Sequence, residues 1–314
     1  MRNWILSGRA GLLLLAVVLA LAPLGFGNPY HYDIAIHVLI NAIVAVGLNL
    51  LVGYAGQVSL GHAGFFGLGA YVTGILSAHY GWHTLVSIPM ALVVVAVLAF
   101  AVARPILRLS GHYLAMATLG LGILITIVLR TEGWLTGGPD GMIVPPIEIL
   151  GWQLFGEAYW YALMAALLVL AVWLALNLID SPVGRALRAV HGSDVAAQVA
   201  GVNTTHYKVL IFVVSAVFAA LTGALTAHYS GFITPDLGGF MRSIEFVTMV
   251  VLGGMASTFG AIVGALVLTL LPQLLTGFDE LEMVVFGAVL MAVIIFMPRG
   301  LVPSLRTLIG RFLR

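Results

Sequence analysis

The sequence has 314 residues, 61% of them hydrophobic and only 8% charged, with a formal net charge of +1. Soluble domains carry about 25% charged residues, so a water-facing globule is excluded and the solvent of this chain must be lipid. Its strands would alternate apolar and polar residues in a β-barrel, but apolar runs such as 91–102 and 163–176 are continuous. With no cysteine in the chain, disulfides, thiol catalysis and cysteine metal sites are excluded.

A helix needs about 20 apolar residues to cross a bilayer, so the length allows roughly eight to ten crossings. Arg2 and Arg9 precede an apolar run over 11–24. Secretory leaders share this layout, but the run continues to Phe26 and no small-residue cleavage pattern follows, so a retained first helix is expected over 10–26. The second span is expected over 33–52, followed by a glycine-rich stretch and a third span over 64–79. A fourth over 84–103 and a fifth over 113–129 lead to a polar, glycine-containing segment, 130–158. The sixth span covers 159–179, a second polar segment covers 180–206, and the seventh span covers 207–229. A short eighth over 244–255, a ninth over 259–275 and a tenth over 281–297 precede a basic tail. The expected fold class is an all-α polytopic membrane protein with about ten transmembrane helices, about eight being the other count the length permits. No linker divides the chain, so 1–314 is expected to be a single transmembrane domain.

Charge distribution sets the orientation. With the N-terminus in the cytoplasm and ten crossings, Arg2, Arg9, Arg104, Arg108, Arg185, Arg188, Lys208, Arg299, Arg306, Arg311 and Arg314 all fall inside. Only Arg130 and Arg242 of the 13 basic residues fall outside, while Asp180 and Asp194 are the only inside acids among 12. This is the bias of the positive-inside rule, and dropping one middle helix would invert every later loop. Both termini are therefore expected in the cytoplasm, with 130–158 outside and 180–206 inside.

Glycine and polar residues mark the segments that carry function. Small residues let membrane helices approach closely, so Gly64, Gly67 and Gly69, and again Gly253, Gly254, Gly260 and Gly264, read as tight helix crossings. Glycines at 53, 56, 61, 64, 67 and 69 make a regular helix doubtful there, and Gln57, Ser59 and His62 sit between apolar spans. Interrupted helices are tolerated at membrane depth where they are buried in protein or line a cavity. A glycine-rich discontinuous segment beside the translocation pathway is therefore expected, with Asn49, Gln57, Ser59 and His62 as candidates, against the plainer reading of a short loop. For His62 alone, packing or hydrogen bonding outweighs substrate contact.

In 180–206, Ser181 and Pro182 read as a helix start, and Arg185, Arg188 and His191 recur every three residues on one side of that helix. Ser193 is an N-cap candidate for a second short helix with Asp194 in its first turn. Such a pair suits docking into a soluble partner, or lying on anionic lipid. The outer Trp134–Gly141 stretch has turn chemistry around Pro139, Asp140 and Gly141. Glu245, the one acid near a span, is placed at its outer end, so no chain of buried acids offers a proton relay. His79 and His83, with Gly81 between them, do not make a metal site. The only lysine, Lys208, follows Tyr207; a P-loop needs Gly-Lys-Ser/Thr. The chain is therefore expected to be a transport subunit that borrows its energy, rather than an enzyme.

Four stretches together carry a resemblance: GLNLLVGYAGQVSLGHAGFFGLGAY at 47–71, GHYLAMATL at 111–119, TGGPDGM at 136–142, and 181–201 followed by Asn203, Tyr207 and Lys208. In order and spacing they resemble the LivM-type permease of branched-chain amino acid ABC importers, over about 35–300. The resemblance implies a second homologous permease, two cytoplasmic ATPase subunits and a periplasmic substrate-binding protein as partners, in a bacterial inner membrane. It implies no cofactor on this chain, with ATP and Mg held by the ATPases, and no role for nucleic acid. It makes 180–206 the loop that docks on an ATPase. Such loops carry Glu-Ala-Ala-x-x-x-Gly; here Ala196, Ala197 and Gly201 match, Val195 stands at the glutamate position, and Asp194 is the neighbouring acid. Arg185 and Arg188 belong to the same loop. Related permeases import urea or short amides, which is the alternative substrate class.

Overall fold

A computed structural model describes residues 2–149, 152–275, 284, 287, 288, 291, 295–297 and 299–305. Most of the expected tenth span and most of the basic tail lie outside the described residues. Helices dominate the rest: α1 (Arg2–Leu21), α2 (Pro29–Asn49), α3 (His62–Ala78), α4 (Thr84–Ile106), α5 (His112–Thr131), a single turn α6 (Gly133–Thr136), α7 (Glu157–Asp180), α8 (Pro182–Gly192), α9 (Asp194–Val199), α10 (Thr204–Ser230), α11 (Phe240–Gly253) and α12 (Thr258–Leu275). Four two-residue strands complete the chain, β1 (Met142–Ile143), β2 (Glu148–Ile149), β3 (Trp152–Gln153) and β4 (Phe232–Ile233); β1 pairs antiparallel with β4 and β2 with β3.

Among the described residues, seven stretches are long and apolar enough to cross a membrane: Gly8–Gly25, Pro29–Tyr54, Thr84–Ile106, His112–Thr131, Glu157–Asp180, Thr204–Ser230 and Thr258–Leu275. The chain is thus an all-α, multi-pass membrane protein. The third and eighth expected spans are present as the shorter α3, of 17 residues, and α11, of 14. At a rise of 1.5 Å per residue they reach only about 26 and about 21 Å. Each follows a break in the α-helical backbone.

Helices α2, α3 and α10 form the centre. Every residue over 38–55 is buried, and α2 packs on α7, α10 and α12 while α3 packs on α4, α5 and α10. Both glycine clusters are indeed close crossings. A Cβ on Gly223 of α10 would lie 1.9 Å from the Phe66 carbonyl oxygen, and one on Gly69 would lie 2.3 Å from that of Ala220. On the other side, a Cβ on Gly264 of α12 would lie 1.9 Å from the Met249 oxygen of α11. Helix α1 packs along α7 with no buried residue among those described from Gly8 on, so Leu13, Leu14, Val17 and Val18 face outward. An apolar outer face of this kind needs lipid or another apolar chain to cover it.

The connecting segments sort to two ends. At one, β1 of the 130–158 segment pairs with β4, and Arg130 donates to Asp236 at 2.6 Å. At the other, Gly56, after α2, faces the His191 ring at the end of α8. Arg104 and Arg108 share a basic hollow with Asn203, Thr205 and His206 at the start of α10.

Candidate translocation and coupling sites

Two breaks interrupt the helices. In the first, α2 widens into a π turn over Leu50–Tyr54 and the chain is non-helical until His62. Gly56 takes φ +67°, a left-handed value that favours glycine, and a Cβ there would meet the His191 Nδ1 at 2.7 Å. Each of its polar residues makes a hydrogen bond inside the protein, while Asn49 Nδ2 and Gln57 Oε1 are buried without a partner. Asn49 is fully buried and its Oδ1 accepts from the Ala256 backbone N–H at 2.9 Å. Gln57 donates from Nε2 to the Ala55 carbonyl. His62 lies between two hydroxyls, with Ser59 Oγ 2.8 Å from Nδ1 and Ser215 Oγ of α10 2.8 Å from Nε2. Its ring meets Phe65 and Phe212 edge-on. The four residues expected along a pathway therefore sit in a packed, hydrogen-bonded joint between α2, α3 and α10.

The second break, between α10 and α11, was less conspicuous. After β4 the chain turns through Pro235–Gly238 into the bundle, where the Gly238 carbonyl accepts from Thr126 of α5 at 2.9 Å and its Cα would crowd a Cβ on Gly67. Helix α11 starts there. Arg242, three residues in, donates to Asn41 Oδ1 at 2.8 Å and to Glu245 Oε2 at 2.7 Å, with its guanidinium 5.0 Å from the Phe246 ring centre. Asn41 lies about 18 Å along α2 from Pro29, near the middle of that span. Arg242 and Glu245 are thus set into the bundle, not at the outer end where the hydropathy pattern puts them. Asn41 also donates to Thr269 of α12 at 2.9 Å.

A cavity of about 540 Å³ opens along this network, from Asp33 and His37 near the start of α2 down to Asn41, Arg242 and Thr248. Asp33 accepts from the Tyr229 hydroxyl at 2.6 Å at its mouth. None of Asn49, Gln57, Ser59 and His62 lines it. The sequence held one usable signal for it: Arg242 and Glu245 are charges beside a span that is too short, and interrupted spans point to transporter sites.

The 180–206 segment folds as its capping residues predict. Ser181 Oγ accepts from the Val183 and Gly184 N–H groups at the start of α8, and Ser193 Oγ accepts from Ala196 at the start of α9. Leu187 and Val190 are buried, whereas Arg185, Arg188 and His191 are exposed. In α9, Ala197 is buried and Ala196 exposed, and Gly201 closes the helix at φ +84°. Asp194 forms an ion pair with the buried Lys208 of α10. It faces the protein, so Val195 and Val199, 72% and 86% exposed, are the side chains that α9 presents outward.

The branched-chain amino acid transport system permease component family matches residues 31–294. The chain is 33% identical to the high-affinity branched-chain amino acid transport system permease protein LivM of Salmonella typhimurium, covering 87% of this chain and 70% of that one. It is 26% identical to the corresponding LivH protein of Escherichia coli and to BraD of Pseudomonas aeruginosa, each covering 83% of this chain and 90% of theirs. No solved structure matches it. A chain built as apolar helices around a broken, glycine-packed centre, and matched by this family along most of its length, belongs to the branched-chain amino acid transport permease family.

Proposed function

We propose that this chain is the membrane permease subunit of an ATP-driven importer of branched-chain or other hydrophobic amino acids in a bacterial inner membrane. Likeness to LivM over 87% of the chain is the observation that carries the reading. The importer pairs this chain with a second homologous permease, two cytoplasmic ATPase subunits that bind ATP and Mg, and a periplasmic substrate-binding protein; likeness to both LivM and LivH supports the two-permease arrangement. The whole of 1–314 acts as one transmembrane domain.

Ten helices with both termini in the cytoplasm give the topology. Seven full-length helices and the shorter α3 and α11 supply nine of them among the described residues, and the span expected over 281–297 is the tenth. The segregation of Arg104, Arg108 and the α8–α9 pair from Asp236 and the 130–158 segment supports the orientation. Single-cysteine labelling checks it, since the chain has no cysteine of its own: a thiol in 130–158 should react with an impermeant reagent from the periplasm, and one in 180–206 only after permeabilisation.

Transport proceeds by alternating access, with ATP binding and hydrolysis moving the coupling loop 180–206. Arg185, Arg188, Asp194, Ala196, Ala197 and Gly201 belong to that loop: the arginines meet the ATPase, Ala196 and its exposed valine neighbours dock, and Asp194 fixes α9 to α10 through Lys208. Contact between His191 and Gly56 gives the loop a direct path to the joint holding Asn49, Gln57, Ser59 and His62, which we place next to the translocation pathway as its framework. The decisive experiment is leucine uptake into liposomes holding the full importer with ATP inside. Uptake by this chain alone, driven by an ion gradient without ATP or partners, would overturn the reading.

A further inference from the structure

We infer that the cavity between α2, α11 and α12 is a recognition site for the zwitterionic head of an amino acid, with Arg242 and Glu245 taking its two charges. This rests on the importer reading above and names the chemistry that the permease itself reads. Arg242 is the only basic residue of the cavity wall other than His37, and its guanidinium carries five N–H donors in a planar fork. Asn41 and Glu245 take one each, and Nε is buried without a partner. The remaining donors suit a carboxylate, which a guanidinium holds in paired, charge-assisted bonds. Among the described residues lining the cavity, Glu245 is the only acid at that depth; Asp33 lies about 12 Å higher along α2, at the mouth.

An ion pair set into a membrane bundle is expensive and marks a functional site unless it is purely structural. This one is electrically neutral as a unit, and so is an amino-acid zwitterion. The ligand's carboxylate on Arg242 and its ammonium on Glu245 replace one internal pair by two, and no charge is left over. A carboxylic acid without the ammonium, or an amide without the carboxylate, would leave one protein charge unmatched, which is how charged sites reject close analogues. Urea, which has no charge, gains nothing from the pair. Ile34, Met249 and Leu268 supply apolar wall for an aliphatic side chain, and the volume of about 540 Å³ lies within the ordinary range for small-molecule sites. Asp33 at the mouth, on the path toward Glu245, attracts the ammonium end first.

The test uses the complete reconstituted importer. Arg242→Gln should lower ATP-driven leucine uptake by about tenfold or more, the worth of one lost charge-assisted pair. Arg242→Lys should recover part of the uptake. The second measurement is made on Thr248→Cys, whose thiol is unique in this chain and lies on the cavity wall: leucine should slow its modification by maleimide, and leucinamide, which lacks the carboxylate, should not. Wild-type uptake by Arg242→Gln, or equal protection by leucine and leucinamide, overturns the site while leaving the importer reading intact. If Arg242→Gln does not assemble, the protection experiment decides alone. Failure of the wild-type importer to move any amino acid overturns the importer reading, and this site with it.

Discussion

The two breaks in the helices use polar residues in opposite ways. Between α2 and α3, the side-chain hydrogen bonds are made to the protein itself: His62 is held by two serines, Asn49 by a backbone N–H, Gln57 by a carbonyl. Between α10 and α11, a charged pair sits at the middle of α2 and borders open volume. The first is conspicuous in sequence and closed in space; the second is inconspicuous and open. Polar density in a membrane sequence therefore marks bonds that have to be made, and only the arrangement in space tells whether the partner is protein or substrate.

If that contrast is right, substitutions in the closed joint should cost stability, and those at the open site should cost transport. The largest loss of stability is expected for His62→Ala. It leaves a cavity among Phe65 and Phe212, in the class of aromatic truncations that cost about 3 kcal/mol or more, and removes two hydrogen bonds worth about 0.6 kcal/mol each in a membrane. Thermal unfolding of the purified importer should show a large drop, and unchanged unfolding would break the contrast. Next comes Gly56→Ala, where the left-handed backbone costs about 1–2 kcal/mol and the new Cβ presses on His191. Its readout is coupling as well as stability: ATP hydrolysed per leucine moved should rise.

Gly201→Glu should act on coupling more than on folding, since that glycine is exposed and a Cβ there meets nothing within 4 Å. Its φ of +84° disfavours any side chain, by about 1–2 kcal/mol, and a new carboxylate stands where α9 would dock. Insertion measured by membrane fractionation should be normal and uptake largely lost; normal uptake would remove α9 from the coupling path. The smallest effect is expected for Arg130→Gln. The pair with Asp236 is exposed on both sides, and such pairs contribute about 0–1 kcal/mol, although it ties the segment entering the bundle to α5. A large loss of stability there would mean that this segment is held from outside rather than by Gly67 and Thr126.

Much of the molecule was legible without coordinates. The apolar runs, the Ser181 and Ser193 caps and both glycine crossings appear where the sequence puts them, because each depends on near neighbours or on a repeated spacing. Asp194 shows the limit. It stands next to the position of the missing glutamate of a docking motif, and its own partner is Lys208, fourteen positions later. His62 likewise takes its partner from Ser215, 153 positions away.

By itself, then, the sequence determined that this protein lives in lipid, crosses it many times and carries a capped helix pair between two of its spans. Those properties follow from hydropathy, charge and local hydrogen bonding, which act over a few residues. Only the tertiary structure decided where the chain enters the bundle after α10 and that Arg242 lies beside Asn41 and not at the surface. The reason is that a broken helix can start at any depth, and its depth is fixed by what it packs against: here Gly67 of α3, Thr126 of α5 and the middle of α2.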